Sequence, residues 1–205
     1  MRKIVSFLIV TFLMLALLSV AASAVTTVPL LAGQDIIVGE VNVWNDGTNL
    51  CVEYNITVDG WVITETHLAV AEVEYDDGEI IPPPVDVIPQ TKKRNPIPGH
   101  FPYGDDELGI YDAEGNLVGG EDSYEECILL SDLEVEVGDI VYIAAQASLL
   151  NLNNIVDYVP DPVTGEPGVP IYQQETGWGE GDEFADDRNW SMYFEFVIPE
   201  PEPVP

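Results

Sequence analysis

Along most of this chain apolar residues recur at every second position, the period of half-buried β-strands. In "NLCVEYNITV", Leu50, Val52, Tyr54, Ile56 and Val58 fall on one face, and Asn49, Cys51, Glu53, Asn55 and Thr57 on the other. The preceding run, "DIIVGEVNVW", leads into Asn45-Asp46-Gly47, residues that tolerate positive φ and mark a hairpin. Asp59-Gly60 then turns the chain into "WVITETHLAVAEVEY", so the pattern predicts a three-strand antiparallel meander. On that third strand the alternation puts Glu65 and His67 on the same face as Trp61 and Ile63.

Residues 76–107 hold seven prolines and read as an irregular excursion, because proline removes a ladder donor and fixes φ. A second hairpin follows, turning at Glu114-Gly115-Asn116. From Ile140 to Ala147 both alternating faces are apolar or small, which predicts a central strand covered on both sides. Residues 151–181, rich in Pro, Gly and Asp, read as a second long loop. In "NWSMYFEFVI", Trp190, Met192, Phe194, Phe196 and Ile198 are expected to face inward and Ser191, Tyr193 and Glu195 outward. No long stretch has helical periodicity. The expected fold is all-β: an antiparallel β-sandwich with Greek-key crossings through two long Pro/Gly/Asp-rich loops.

The first residues change the picture from fold to address. Arg2 and Lys3 precede an uncharged apolar run from Ile4 to Val20, and Ala22-Ser23-Ala24 is a small-residue cleavage site. Residues 1–24 therefore read as a signal peptide cut after Ala24; the alternative is a retained membrane anchor. Residues 25–198 then form one domain, and 199–205, "PEPEPVP", an extended tail. The export signal takes two basic residues and no acid, leaving four basic residues against 37 acidic ones, a formal charge of −33.

That charge makes nucleic acid an unsuitable partner, since phosphate contacts need a basic footprint. It suits either a saline habitat, where salt screens self-repulsion, or bound calcium. The calcium candidates are Glu180, Asp182, Glu183, Asp186 and Asp187, gathered in "GWGEGDEFADDRNW", with a solvated acidic loop as the alternative. Asp105, Asp106 and Glu107 form a weaker candidate. Calcium is thus the one cofactor considered, and no cofactor is required.

Cys51 and Cys127 are the only cysteines. In an exported chain they read as a disulfide, the alternative being two separate buried thiols. Asn55-Ile-Thr57 and Asn189-Trp-Ser191 match the N-glycosylation sequon. Glu65 and His67 could serve as a base or a metal half-site, with His100 as a third ligand, or form a satisfied polar pair. Trp178, between two glycines, either contacts a sugar or caps the end of the fold. No nucleophile elbow, zinc-protease helix motif or phosphate-binding glycine loop occurs, so no catalytic residue is assigned.

The basic residues Lys92, Lys93 and Arg94 sit together in "PQTKKRNPIPGHFPY". They either offset nearby carboxylates, pinning the loop with Phe101 and Pro102 buried beneath it, or serve an external partner or processing site.

The ordered series "VGEVNVWNDGTNLCVEYNIT", "GWVITETHLAVAE", "IPQTKKRNPIPGHFPY", "GDIVYIAAQASL" and "ETGWGEGDEF…NWSMYFEF" resembles an uncharacterised β-domain of secreted and cell-surface proteins of bacteria and archaea. The resemblance covers most of the chain after residue 24. It implies an extracellular or cell-surface module, structural or adhesive and not enzymatic, and transfers no site residue. Surface proteins or glycans are the expected partners; calcium or carbohydrate binding is the alternative function.

Overall fold

A computed structural model describes residues 25–73, 75–76, 79–80, 87–161, 163–185 and 189–201. Residues 1–24, with the expected signal and its cleavage site, lie outside the described residues, as do 202–205 of the tail. The fold is all-β and antiparallel. Its strands are β1 (Thr26–Ala32), β2 (Ile36–Asn45), β3 (Asn49–Ile56), β4 (Trp61–Glu72), β5 (Tyr75–Asp76), β6 (Glu79–Ile80) and β7 (Tyr103–Asp105). They continue with β8 (Ile110–Tyr111), β9 (Leu117–Gly119), β10 (Ser123–Leu129), β11 (Ile140–Pro160), β12 (Pro167–Gly179), β13 (Asp182–Glu183) and β14 (Met192–Val197).

Ten of these strands share one sheet, in the order β10-β3-β2-β1-β12-β11-β14-β13, with β4 on the second edge of β11 and β7 beyond it. The path then nearly closes on itself. Ile63 of β4 exchanges backbone hydrogen bonds at 2.8 and 2.9 Å with Glu121, two residues before β10 begins. A Cβ on Gly120 would collide with the Ile63 carbonyl oxygen, so glycine there permits the approach.

The predicted meander stops at two strands. β2 and β3 pair around the Asn45–Gly47 turn, where Asp46 Oδ1 accepts from the backbone of Thr48 and Asn49. β4 leaves instead of pairing with β3, because the free edge of β3 is occupied by β10 over seven residue pairs. Within that ladder Cys51 faces Cys127, and the two form a disulfide, as expected. Closing a loop of 76 residues' separation stabilises the fold by about 4 kcal/mol through unfolded-state entropy.

The main core lies inside the closed curve of the sheet. Leu50, Val52 and Tyr54 of β3, Val41 and Val43 of β2, and Ile143, Ala145, Ala147 and Leu149 of β11 are all essentially fully buried there. Each large aliphatic side chain so buried contributes roughly 1.5–3 kcal/mol. A second cluster covers the opposite face of β11: Tyr142 and Ala144, with Ala69 and Ala71 of β4, Tyr193 of β14, and Trp178, Phe184 and Ile88. Ile140 to Ala147 is thus covered on both sides, as its composition requires. The same second layer overturns the expected exposure of Ser191 and Tyr193: both are buried, since the outer face of β14 is not solvent here. Tyr193 stacks edge-on to Tyr142 with ring centroids 5.4 Å apart.

The larger correction concerns residues 151–181. They are not a loop. β11 continues to Pro160, turns at Asp161–Glu166, and β12 returns from Pro167. Three register shifts, at Asn151/Ile155, Ile155/Asp157 and Tyr158/Pro160, absorb the prolines and polar residues that break a strand pattern. At the other end of the domain, the Asn45 side-chain amide donates to the Pro199 carbonyl at 2.8 Å, so the start of the tail is held against the β2–β3 turn.

Candidate functional site

A β-bulge positions the most chemically varied cluster. The β4–β11 register runs Gln146–His67, Ala147–Thr66, Ser148–Glu65 and then Leu149–Ile63, leaving Thr64 as the extra residue. Thr64 donates its hydroxyl to the Ser148 carbonyl at 3.1 Å. The bulge inverts the parity of β4. Trp61 and Ile63 point into the main core, while Glu65 and His67 lie on the outer face with Gln146 and Ser148. The expectation that all four share one face is therefore wrong, because strict alternation ends at a bulge.

His67 lies between two carboxylates. Its Nε2 is 3.7 Å from Glu65 Oε2, and its Nδ1 is 3.5 Å from Asp106 Oδ1. The imidazole is largely buried, Glu65 half-exposed and Asp106 mostly exposed. Asp106 arrives through β7, whose Gly104 is opposite His67 with φ +125. A Cβ on Gly104 would strike the Thr66 carbonyl oxygen, so only glycine lets β7 approach this closely. The Asp105 backbone N–H completes the join by donating to Thr66 Oγ1 at 3.1 Å. Beneath the site, the fully buried Tyr54 hydroxyl donates to the His67 carbonyl at 3.2 Å; burial pushes that phenol well above its ordinary pKa.

Ser148 Oγ donates to Glu65 Oε2 at 2.9 Å, so its hydroxyl is engaged by a carboxylate rather than by the imidazole that a nucleophile–base pair requires. The arrangement sets an imidazole between two carboxyl groups and joins β4 to β7. His100, considered as a third ligand, is exposed at the end of a 3-10 turn, Pro98–His100, and is not part of this cluster. Asp106 takes the second nitrogen instead. Only the tertiary pairing of β7 with β4 brings it there, so no local spacing signals it.

The remaining sequence candidates separate. Glu180, Asp182 and Glu183 are exposed, and Asp182 and Glu183 are successive on β13, whose side chains point to opposite faces. Asp186 and Asp187 lie outside the described residues. Among the described residues, the one group of three metal-ligating side chains is Cys51, Glu125 and Cys127, and both sulfurs are committed to the disulfide. Asn55 is half-buried within β3, between β2 and β10. The Asn189 side chain donates to Asn95 Oδ1 at 2.7 Å and accepts from the Ser191 hydroxyl, joining the segment before β14 to the proline-rich loop.

Trp178 is buried, packed between Phe101 at 6.4 Å and Phe184 at 6.3 Å between ring centroids. It caps the fold and presents no face to a sugar. Ile88 and Phe101 hold the proline-rich loop over the second cluster, but Pro102 is exposed, contrary to expectation. Lys92 and Lys93 are also exposed, and neither reaches ion-pair distance of a carboxylate among the described residues. Apolar contact by Ile88 and Phe101 fastens the loop there. Comparison of the chain with known protein families, curated proteins and solved structures gave no match.

Proposed function

We propose that this chain is an exported structural or adhesive module of the cell surface or extracellular space, with no reaction of its own. One observation carries the reading. The body is cross-linked by a disulfide and bears a formal charge of −31 over the whole sequence, yet the far half of the β11–β12 hairpin leaves apolar side chains bare on both faces. A sheet that closes itself and projects one adhesive ribbon suits contact with another surface molecule, a protein or a glycan. The disulfide is compatible with an oxidising, extracellular compartment, and the signal-like first 24 residues point the same way. The test is access on intact host cells. An antibody to the folded domain should label them without permeabilisation, and added protease should remove the label. Labelling only after lysis would defeat the proposal.

A further inference from the structure

Both ring nitrogens of His67 face a carboxylate: Nδ1 lies 3.5 Å from Asp106 Oδ1, and Nε2 lies 3.7 Å from Glu65 Oε2. A neutral imidazole carries one N–H, which can serve only one of the two. Both separations also exceed the roughly 2.7–3.2 Å of an N–H···O hydrogen bond. With Nδ1–H directed at Asp106, the Nε2 lone pair faces a carboxylate oxygen whose other contact is the Ser148 hydroxyl at 2.9 Å. Two electron-rich atoms then look at each other across a gap, and a cation between them relieves the repulsion.

A second, independent observation marks the same place. Gln146 is directly opposite His67 in the β4–β11 ladder, on the same outer face, and such pairs have Cβ atoms about 4.5–5.5 Å apart. Gln146 is only 4 % exposed, and its Oε1 is buried and accepts no hydrogen bond among the described residues. A bare buried acceptor is costly, and native structures rarely keep one that neither water nor an ion meets. Trp178 of β12 is opposite Gln146 on its other side, while half-exposed Glu65 leaves an entry from solvent.

We infer that His67 Nε2, Glu65 Oε2 and the Gln146 amide oxygen bind one zinc ion, with water in the fourth position. The spacing fits: tetrahedral ligands at about 2.0–2.1 Å from zinc stand about 3.4 Å apart, close to the 3.7 Å between Nε2 and Oε2. An imidazole nitrogen suits zinc, whereas calcium and magnesium take oxygen ligands. Asp106 accepts from Nδ1 and fixes the ring, the outer partner that a metal-bound histidine ordinarily has, and Ser148 orients Glu65 in the same way. Because Asp106 follows β7 directly, the ion sits at the seam where β7 joins β4.

Zinc titration of the oxidised protein tests this, in about 1 M NaCl with excess calcium so that the acidic surface is screened and occupied. Calorimetry and melting temperature give the affinity, and cobalt(II) serves as the spectroscopic probe. The expected result is one ion per chain, a melting temperature that rises with zinc concentration, and the intense visible bands of four-coordinate cobalt. His67→Ala should abolish binding. Asp106→Asn, at an exposed position, should weaken it about 10–100-fold with the metal-free melting temperature unchanged. Gln146→Leu should weaken it about tenfold while leaving the metal-free protein at least as stable, because the bare acceptor is gone. No binding would overturn the proposal and leave Gln146 to a buried water. Displacement by calcium, or an affinity unchanged in any of the three variants, would overturn it as an adventitious ion only. None of these outcomes depends on where the cell places the chain.

Discussion

One strand of this protein lives in two solvents. From Ile140 to Leu150, β11 is flanked by β4 on one edge and by β14 and β12 on the other, with a packed cluster on each face. From Ile155 to Pro160 the same strand pairs with β12 alone, as a two-stranded arm, and leaves apolar side chains exposed on both faces. Backbone pairing is common to both halves; what differs is the third dimension. The covered half is held by the proline-rich loop and the inner core, so its hydrogen bonds open only when the domain unfolds. The far half is held by ribbon pairing and by the neighbouring Asn116–Leu117 segment, and a two-stranded ribbon with so little cover is marginal in water. Burial, not strand geometry, sets local stability.

The largest test of this difference uses the disulfide. Its loss through the double substitution Cys51→Ala, Cys127→Ala should cost about 4 kcal/mol. Amide exchange at Val141–Leu149 should accelerate by the full loss, whereas exchange at Ile155–Val159 should be unmoved, because the arm opens locally. Equal acceleration in both halves would erase the distinction.

A matched pair of truncations comes next. Ile143→Ala should destabilise by about 3 kcal/mol, within the range for buried aliphatic deletions. Val156→Ala, in the arm, should stay within about 0.5 kcal/mol in chemical denaturation of the monomer.

A smaller effect is expected from Phe101→Ala. It should release the loop from Trp178 and raise the rate of trypsin cleavage after Lys92 and Lys93 several-fold, with global stability lowered by about 1–2 kcal/mol. Cleavage unchanged from the wild type would mean the loop is held elsewhere.

The smallest concerns pH. Tyr54 is neutral and buried, with its pKa raised. The unfolded chain loses that proton near pH 10 while the folded chain keeps it, so stability is fully present below about pH 10 and falls as pH rises beyond it. Tyr54→Phe should flatten that alkaline decline, at a cost of about 1 kcal/mol at neutral pH from the lost bond to the His67 carbonyl.

Much of this was legible in the residues, for reasons that can be stated. Where one strand face is wet and the other dry, as in β3, alternation reports burial directly; Leu50, Val52 and Tyr54 are buried as their spacing requires. Where both faces are dry, as at Ile140–Ala147, composition does the same. Legibility failed where tertiary structure changes the rule. The Thr64 bulge reversed the faces of β4, an event with no local marker. The arm was hidden because bulges, prolines and asparagines give it the composition of a loop, and nothing buries one of its faces to enforce alternation. For Trp178 the glycine neighbours left sugar contact and capping both open; the structure takes the capping alternative, and the glycines allow the close packing, since a Cβ on Gly177 would crowd Leu149. At the candidate site, Glu65 and His67 were visible as an i, i+2 pair, while Asp106 entered only through the pairing of β7 with β4.

The bridge from Cys51 to Cys127 also has a mechanical meaning. The residues between them include β4, the proline-rich loop, β7 and the Glu121 bridge that brings the sheet back to itself. If a tether pulled the two ends of the chain apart, those 76 residues of separation, on the order of 250 Å of contour length at about 3.3 Å per residue, could not be paid out. The extensible parts would be the stretches outside the bridge, the arm among them. Under tension the molecule would yield first as a short spring attached to an unbreakable knot of sheet, and its contact ribbon would lie on the spring.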